Sequence, residues 1–386
     1  MCAPNTPTAI LPANQVCFNR LGVTEPVYGP SAIQSVASQT STAPYTELQK
    51  DDLAWECMDT TNVETKTFYM LSDEGRIGLA QVIYSNVMGV RTTAQFSSKI
   101  FSPNSTQHLW SSDNLHHFTF SPDKQSFHAD NCAMELSEDG KSYTIKSSIS
   151  KSSIVDLKFT QEAPGLVVGK DGTSSFGTDP KKPWGRMIHK FWPRCRVEGQ
   201  ILTKEGPVDF KGTGIFVHAL QGMKPHFAAA KWNFANFHSP NYSAVMMEFT
   251  TPPSYGETVV TVGSVVKKDK VLFTGASPNT KAEHTDVKGD PENDWPEPGA
   301  VRFTWQGKTA DDKQGKAVLE GSLGTRTDRV DVMGELPKFV KAIVAGAAGT
   351  KPYIYQYVPK MTLKLDIGGE VVEEEGQLFM EATFIS

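Results

Sequence analysis

The chain alternates apolar and polar side chains over short stretches, broken by clusters of Gly, Pro, Asn and Asp. That is the period of two that half-buried β-strands require, not the 3.6-residue period of helices. Met361, Leu363, Leu365 and Ile367 alternate with Thr362, Lys364 and Asp366 as the cleanest case. The pattern predicts strands over 64–71, 76–85, 90–101, 132–137, 142–148, 154–160, 187–201 and 208–220 in the first half. In the second half it predicts them over 228–237, 242–251, 258–266, 271–275, 301–305, 316–322, 326–333, 361–367 and 377–385. Glu74-Gly75, Asp139-Gly140, Asp171-Gly172 and Gly368-Gly369 put glycine where a tight hairpin needs positive φ, so neighbouring strands pair antiparallel. One amphipathic helix is expected, because Leu336, Phe339, Val340, Ile343, Val344 and Ala347 share a face that ends near Gly349 and Pro352. A short helical turn is expected at 47–53.

Residues 1–44 are rich in Pro, Ser, Thr and Asn and are expected to form a flexible lead-in. The aromatic, Met- and His-rich run from Phe216 to Gly256 is interrupted by Gly222, Pro225 and Pro240, so it reads as strands and turns linking two β-rich halves, 45–215 and 216–386. Halves of about 170 residues exceed a simple immunoglobulin-type sandwich and suit barrels of eight or more strands, wide enough for one small apolar ligand. The fold class expected is all-β, with two tandem antiparallel β-barrel domains and few short helices.

Composition narrows the function. No stretch approaches the roughly 20 apolar residues of a spanning helix, and a net charge of −5 does not suggest a nucleic-acid partner. The first residues lack the basic and apolar regions of a secretory signal. Five cysteines without C-x-x-C spacing read as reduced thiols. G-x-S-x-G, H-E-x-x-H, P-loop and strand-borne G-x-G-x-x-G motifs are absent, and no cofactor is expected. His218, His226 and His238 match no common zinc spacing, so no metal is expected; proton transfer or ordinary hydrogen bonding remain as their roles. Asp290 to Pro298 lacks the Gly and downstream Glu of a calcium loop and reads as a solvated, proline-stiffened connection. Met223, Phe227, Trp232, Phe234, Phe237, Met246 and Met247 line a cavity for an acyl chain or polycyclic lipid, or simply fill a barrel. The run from Lys181 to Arg196 holds Lys181, Lys182, Arg186, Lys190, Arg194 and Arg196 around Trp184, Phe191 and Trp192 with no acid. It reads either as a membrane or headgroup contact or as a solvent-edge strand with Trp184, Ile188 and Trp192 turned inward.

Several long blocks carry a resemblance: GLAQVIYSNVMGVRTTAQFSSKIF, ADNCAMELSEDGKSYTIKSSI, FGTDPKKPWGRMIHKFWPRCRVEG, HALQGMKPHFAAAKWNFANFHSPNYSAVMMEFTTPPSYG and GDPENDWPEPGAVRF. From about Glu25 to Ser386 the chain resembles the fungal survival factor 1 family. The resemblance implies two lipocalin-like barrels, distantly similar to carotenoid hydratases and fungal Diels-Alderases. It implies a cytoplasmic and nuclear, non-enzymatic protein that binds ceramide, carries it from endoplasmic reticulum to Golgi with peripheral contact to those membranes, and supports survival under oxidative stress. Trp192 joins the lining candidates, and His218, Gln221 and Asn233 are the polar candidates for the amide and hydroxyls of such a cargo. A hydratase, isomerase or pericyclase acting on an apolar substrate is the alternative reading. The chain departs from the family at residues 1–23, where Pro12 and Asn14 break any apolar helical face, which puts membrane recruitment by this segment in doubt.

Overall fold

The computed structural model describes residues 16–18, 24–101, 108–335 and 352–386. Two large antiparallel sheets account for most of them, as the alternation predicts. The first sheet orders its main path as 108–115, 91–101, 77–87, 62–72, 212–221, 185–203, 153–161, 142–150, 132–136, 127–129 and 119–120. It curls until Ser98 Oγ lies 2.6 Å from Ser153 Oγ, five positions along the path. The second orders 270–276, 259–267, 242–250, 231–238, 370–384, 360–367, 314–322, 296–308 and 281–289, with 353–357 paired to 370–384. Its curl brings Gly307 against the strand Lys270–Ala276: a Cβ there would stand 1.8 Å from the Thr274 carbonyl oxygen, so only glycine allows this approach.

Gly75, Gly140, Gly172, Gly368 and Gly369 all have positive φ, as the hairpin reading requires. The strand Gly212–Gln221 pairs along its whole length with Asn62–Ser72, so the expected boundary between residues 215 and 216 lies inside a strand of the first sheet. The chain crosses to the second sheet through 222–230, which include a short helix Pro225–Ala228. The lead-in expected up to residue 44 is corrected from Tyr28 onward. Ile33–Gln34 pairs with Thr173–Phe176, and Ala32 and Val36 are buried, because these few apolar side chains reach the core between the sheets. The turn expected at 47–53 is a 3-10 helix, Lys50–Leu53. The amphipathic helix expected from Leu336 to Ala347 lies outside the described residues.

Alternation sends each strand's two faces to different cores. The first sheet encloses Phe68, Phe96, Phe127, Tyr143, Phe159, Trp192 and Phe216, with Trp192 ring centroids 5.3 Å from Tyr143 and 5.1 Å from Phe216. The second encloses Phe237, Met246, Phe303, Trp305, Leu363, Leu378 and Met380. A third core lies between the sheets and draws on both.

Candidate functional site

The third core is where five of the eleven predicted lining residues meet. On the strand Lys231–His238, Trp232 and Phe234 turn toward the first sheet while Ala235 and Phe237 turn into the second sheet's own interior. Phe234 stacks on Tyr69 at 4.8 Å, Tyr69 packs on Phe379 at 5.3 Å, and Trp232 packs on Phe249 at 5.5 Å and edge-on to His189 at 6.0 Å. Met223 and Phe227 enter from the crossing segment and Met247 from the strand Tyr242–Thr250. Phe234 and Met223 are buried, whereas Trp232, Phe227 and Met247 are half-buried and form the seam's open rim.

A buried polar group sits in the same seam. Lys99 of the first sheet is fully buried; its ammonium donates to Gln356 Oε1 at 2.7 Å and is paired with Asp328. Gln356 donates in turn to Glu381, and the Tyr69 hydroxyl reaches Glu381 Oε2 at 3.5 Å. Burial raises the Glu381 carboxyl and, with Glu381 beside it, the Tyr69 phenol. Burial also lowers His189 to about 4, so that ring is neutral at pH 7. The seam thus combines flat rings with hydrogen-bonding groups, the lining that an amphipathic ligand with a small polar head requires.

The other lining candidates are elsewhere. Trp192 belongs to the first interior and Phe237 and Met246 to the second, where Phe68, Tyr143, Phe159, Phe237, Met246 and Trp305 have no surface open to a water molecule. These three side chains are packing, not lining, because the ligand space expected around them is filled by neighbouring rings. Gln221 is the half-buried last residue of its strand, opposite Val63 and Met187. Asn233 donates to Glu248 Oε1 at 3.1 Å and pairs through Oδ1 with His284 Nε2 at 2.8 Å, on the second sheet's inward face.

His218 lies inside the first sheet, its Nε2 2.7 Å from Glu64 Oε1. Burial lowers His218 to about 4 against the pull of Glu64. Burial alone would raise Glu64, but His218 and the amides of Cys57 and Glu56 hold it below its usual range. Lys66, two residues on, is lowered to about 7 by burial and donates to the Leu53 and Gln125 carbonyls and the Tyr143 hydroxyl. Glu64 and Lys66 escaped the sequence reading. Their signal was the shared parity with Phe68 and Met70, which puts all four on one strand face. His226 is on the short crossing helix and His238 Nδ1 pairs with Ser243 Oγ at 2.7 Å, so the three histidines do not converge. Among the described residues no His, Cys, Asp and Glu group could hold a metal. Asp290, expected to be solvated, is buried instead: the Glu292 amide at 2.9 Å, the Tyr355 hydroxyl at 2.7 Å and Arg329 at 3.0 Å offset its desolvation and hold it at about 2.

The basic run divides. Lys181, Lys182 and Trp184 are exposed at a corner, and Trp184 donates to the Tyr255 hydroxyl at 3.0 Å. Arg186 is paired with Glu56, and Arg196 is exposed beside Glu198 at 4.0 Å. Lys190 is half-buried and donates to the Asp52 carbonyl. Arg194 is removed from any headgroup contact. It is buried and binds Glu162 at 3.2 Å, the carbonyls of Ser239, Pro240 and Tyr242 at 3.2 Å each, and Ser243 Oγ at 2.9 Å. It therefore fastens the first sheet to the hairpin between two strands of the second.

Comparison with known proteins gives concordant matches. The Svf1 family profile matches residues 13–386. The "Ceramide-binding protein svf-1" of Neurospora crassa is 59% identical over 378 residues, covering 97% of this chain and 99% of its own. The "Ceramide-binding protein svf1" of Aspergillus fumigatus is 55% identical over 95% of this chain and 97% of its own. Among solved structures, CghA with Sch210972 superposes with a TM-score of 0.56 at 12% identity, covering 84% of this chain and 89% of its own. Kievitone hydratase from Nectria haematococca gives 0.53 at 11% identity, over 93% and 98%. At such identities these two structures share the lipocalin-like fold and no more.

Proposed function

The chain belongs to the Svf1 family, and from that premise we propose that it is a non-enzymatic lipid-binding protein whose cargo is ceramide, held in the seam between the two barrels. The observation that carries this reading is the half-buried set Trp232, Phe227 and Met247 opening onto the Tyr69, Phe234 and Phe379 rings, with the Lys99, Gln356 and Glu381 group buried beside them. An acyl chain would replace water along the rings at roughly 0.8 kcal/mol per methylene buried. The amide and hydroxyls would find partners in the polar group, without which their desolvation would oppose entry. In the cell we propose transfer of ceramide from endoplasmic reticulum to Golgi by a cytoplasmic and nuclear protein, in support of sphingolipid balance and survival under oxidative stress.

The test is native mass spectrometry of protein purified from a lipid-rich host, paired with transfer of fluorescent ceramide between vesicles. Recovery of a ceramide adduct that Trp232→Ala reduces supports the seam. Protein that is always empty and moves no ceramide refutes the reading.

A further inference from the structure

The strand Lys231–His238 carries a buried amide whose carbonyl finds no partner. Asn236 shares its parity with Trp232 and Phe234, so it faces the seam. It is paired across the sheet with Val245 on one side and Phe379 on the other, both members of the core between the sheets. The residue is only 5% exposed, yet its Oδ1 has no hydrogen-bond partner among the described residues. Burying an amide carbonyl without a donor costs its full desolvation, which an apolar side chain of similar size would avoid. Folding by itself therefore gives no reason for asparagine at this position.

The donors around it are committed elsewhere. In the row toward the hairpin, Gln377 donates to the Val358 and Pro359 carbonyls at 2.9 and 2.8 Å, and Arg194 to the acceptors of that hairpin. His238, two residues along the same face, likewise leaves Nε2 unpartnered. In the row toward the rim, Gln356 donates to Glu381, and Lys99 is held by Gln356 and Asp328.

The position of the amide decides what it can serve. Phe379, beside it, packs on Tyr69 and on Phe101 at 5.3 Å each, so Asn236 lies against flat apolar surface. Glu381 is its diagonal neighbour across the strand pair, about 7 to 8 Å away between backbones. A lipid lying along the rings with a hydroxyl at Glu381 thus brings its next polar group to Asn236. That group must donate, because Oδ1 only accepts, and the Nδ2 of the same planar side chain can return a hydrogen bond to a carbonyl. A secondary amide offers both; an ester offers the carbonyl alone.

On the reading of the seam as the lipid site, we infer that Asn236 is its specificity residue: the carboxamide pairs with the secondary amide of an N-acyl lipid and selects it over cargo whose linkage has no N–H.

The experiment is equilibrium binding of a fluorescent short-chain ceramide, and of the same molecule methylated on its amide nitrogen, to the full chain and to Asn236→Leu, with the melting temperature of each protein. Wild type should bind ceramide about ten-fold or more tightly than the N-methyl analogue, because a buried acceptor left unpaired rejects the ligand that lacks its donor. Asn236→Leu should bring that ratio to about two-fold or less, chiefly by weakening ceramide, and should melt at the same temperature or higher, since an unpaired buried group has been removed. Asn236→Ala repeats the comparison without added bulk, should the leucine not fit. A preference that survives in both variants, or a lower melting temperature with ceramide affinity unchanged, overturns the inference and leaves Asn236 a structural group satisfied by water. Wild type that binds the two molecules equally also overturns it while leaving the seam as the lipid site. Wild type that binds neither refutes the lipid site itself, and the role of Asn236 falls with it.

Discussion

Replacing Arg194 by alanine tests how the two barrels are fastened. The guanidinium is buried and meets four groups of the second sheet's hairpin. After truncation the groups fare differently. The Tyr242 carbonyl keeps the Ser239 amide and hydroxyl, and Ser243 Oγ keeps His238. Glu162 is open enough to recover water, so its loss costs little. The Ser239 carbonyl is left buried without a partner and the Pro240 carbonyl partly so, at about 1 to 3 kcal/mol for a buried orphan. With the lost packing of the aliphatic stem, Arg194→Ala should destabilise the chain by about 3 to 5 kcal/mol. Arg194→Lys should recover about a third to a half of that, because an ammonium cannot reach all four acceptors. The assay is urea denaturation followed by tryptophan fluorescence and far-ultraviolet circular dichroism. A second readout is His238, which burial, reinforced by Arg194, holds at about 3, and which should titrate higher in Arg194→Ala by NMR. A stability loss below about 1 kcal/mol with His238 unmoved would refute the clamp.

Trp192→Ala should cost about 3 to 5 kcal/mol in denaturation experiments, as for any large ring deleted from a filled core, whereas half-buried Trp232→Ala should cost about 2 kcal/mol or less and lose ceramide binding; equal costs would show that the two rings do the same job. His189, His218, His226 and His284 are held at about 4 by burial, so between pH 6.5 and 4 the unfolded chain takes up protons that the folded chain does not. Stability should therefore fall as pH drops through that window and be level in these groups above about pH 7; His189→Phe should flatten the slope by close to one proton, checked by urea midpoints across pH. Gly307→Ala should drive the strand Pro296–Lys308 off Thr274 and lower the melting temperature by several degrees or prevent folding, read by calorimetry.

Most strands and every glycine hairpin named above could be read from alternation and turn chemistry, which are local. Among the strands missed, which also include His108–Leu115 and Tyr353–Tyr357, Lys281–Gly289 is a mostly exposed edge with charge on both faces, so it carries no apolar period. The site was legible in part. Phe234, Phe237 and Met246 could be identified as buried, but a strand apolar on both faces does not say which face meets its own sheet and which meets another domain. Glu64 and Lys66 look like the outward half of an alternating strand until the whole barrel is closed around them. Arg194 looks like part of a basic stripe, since its acceptors are backbone carbonyls more than forty residues away and leave no mark in composition.

The shared aromatic seam has one more consequence. Each barrel leaves one oily flank that only the other covers, so neither half is a self-sufficient unit of solubility. Denaturation should proceed as a single transition, limited proteolysis should not release a durable fragment, and expression of either half alone should yield aggregates. Gene rearrangements that shuffle one barrel without its mate would thus be penalised from the start, which gives a physical reason for the pair to be inherited together.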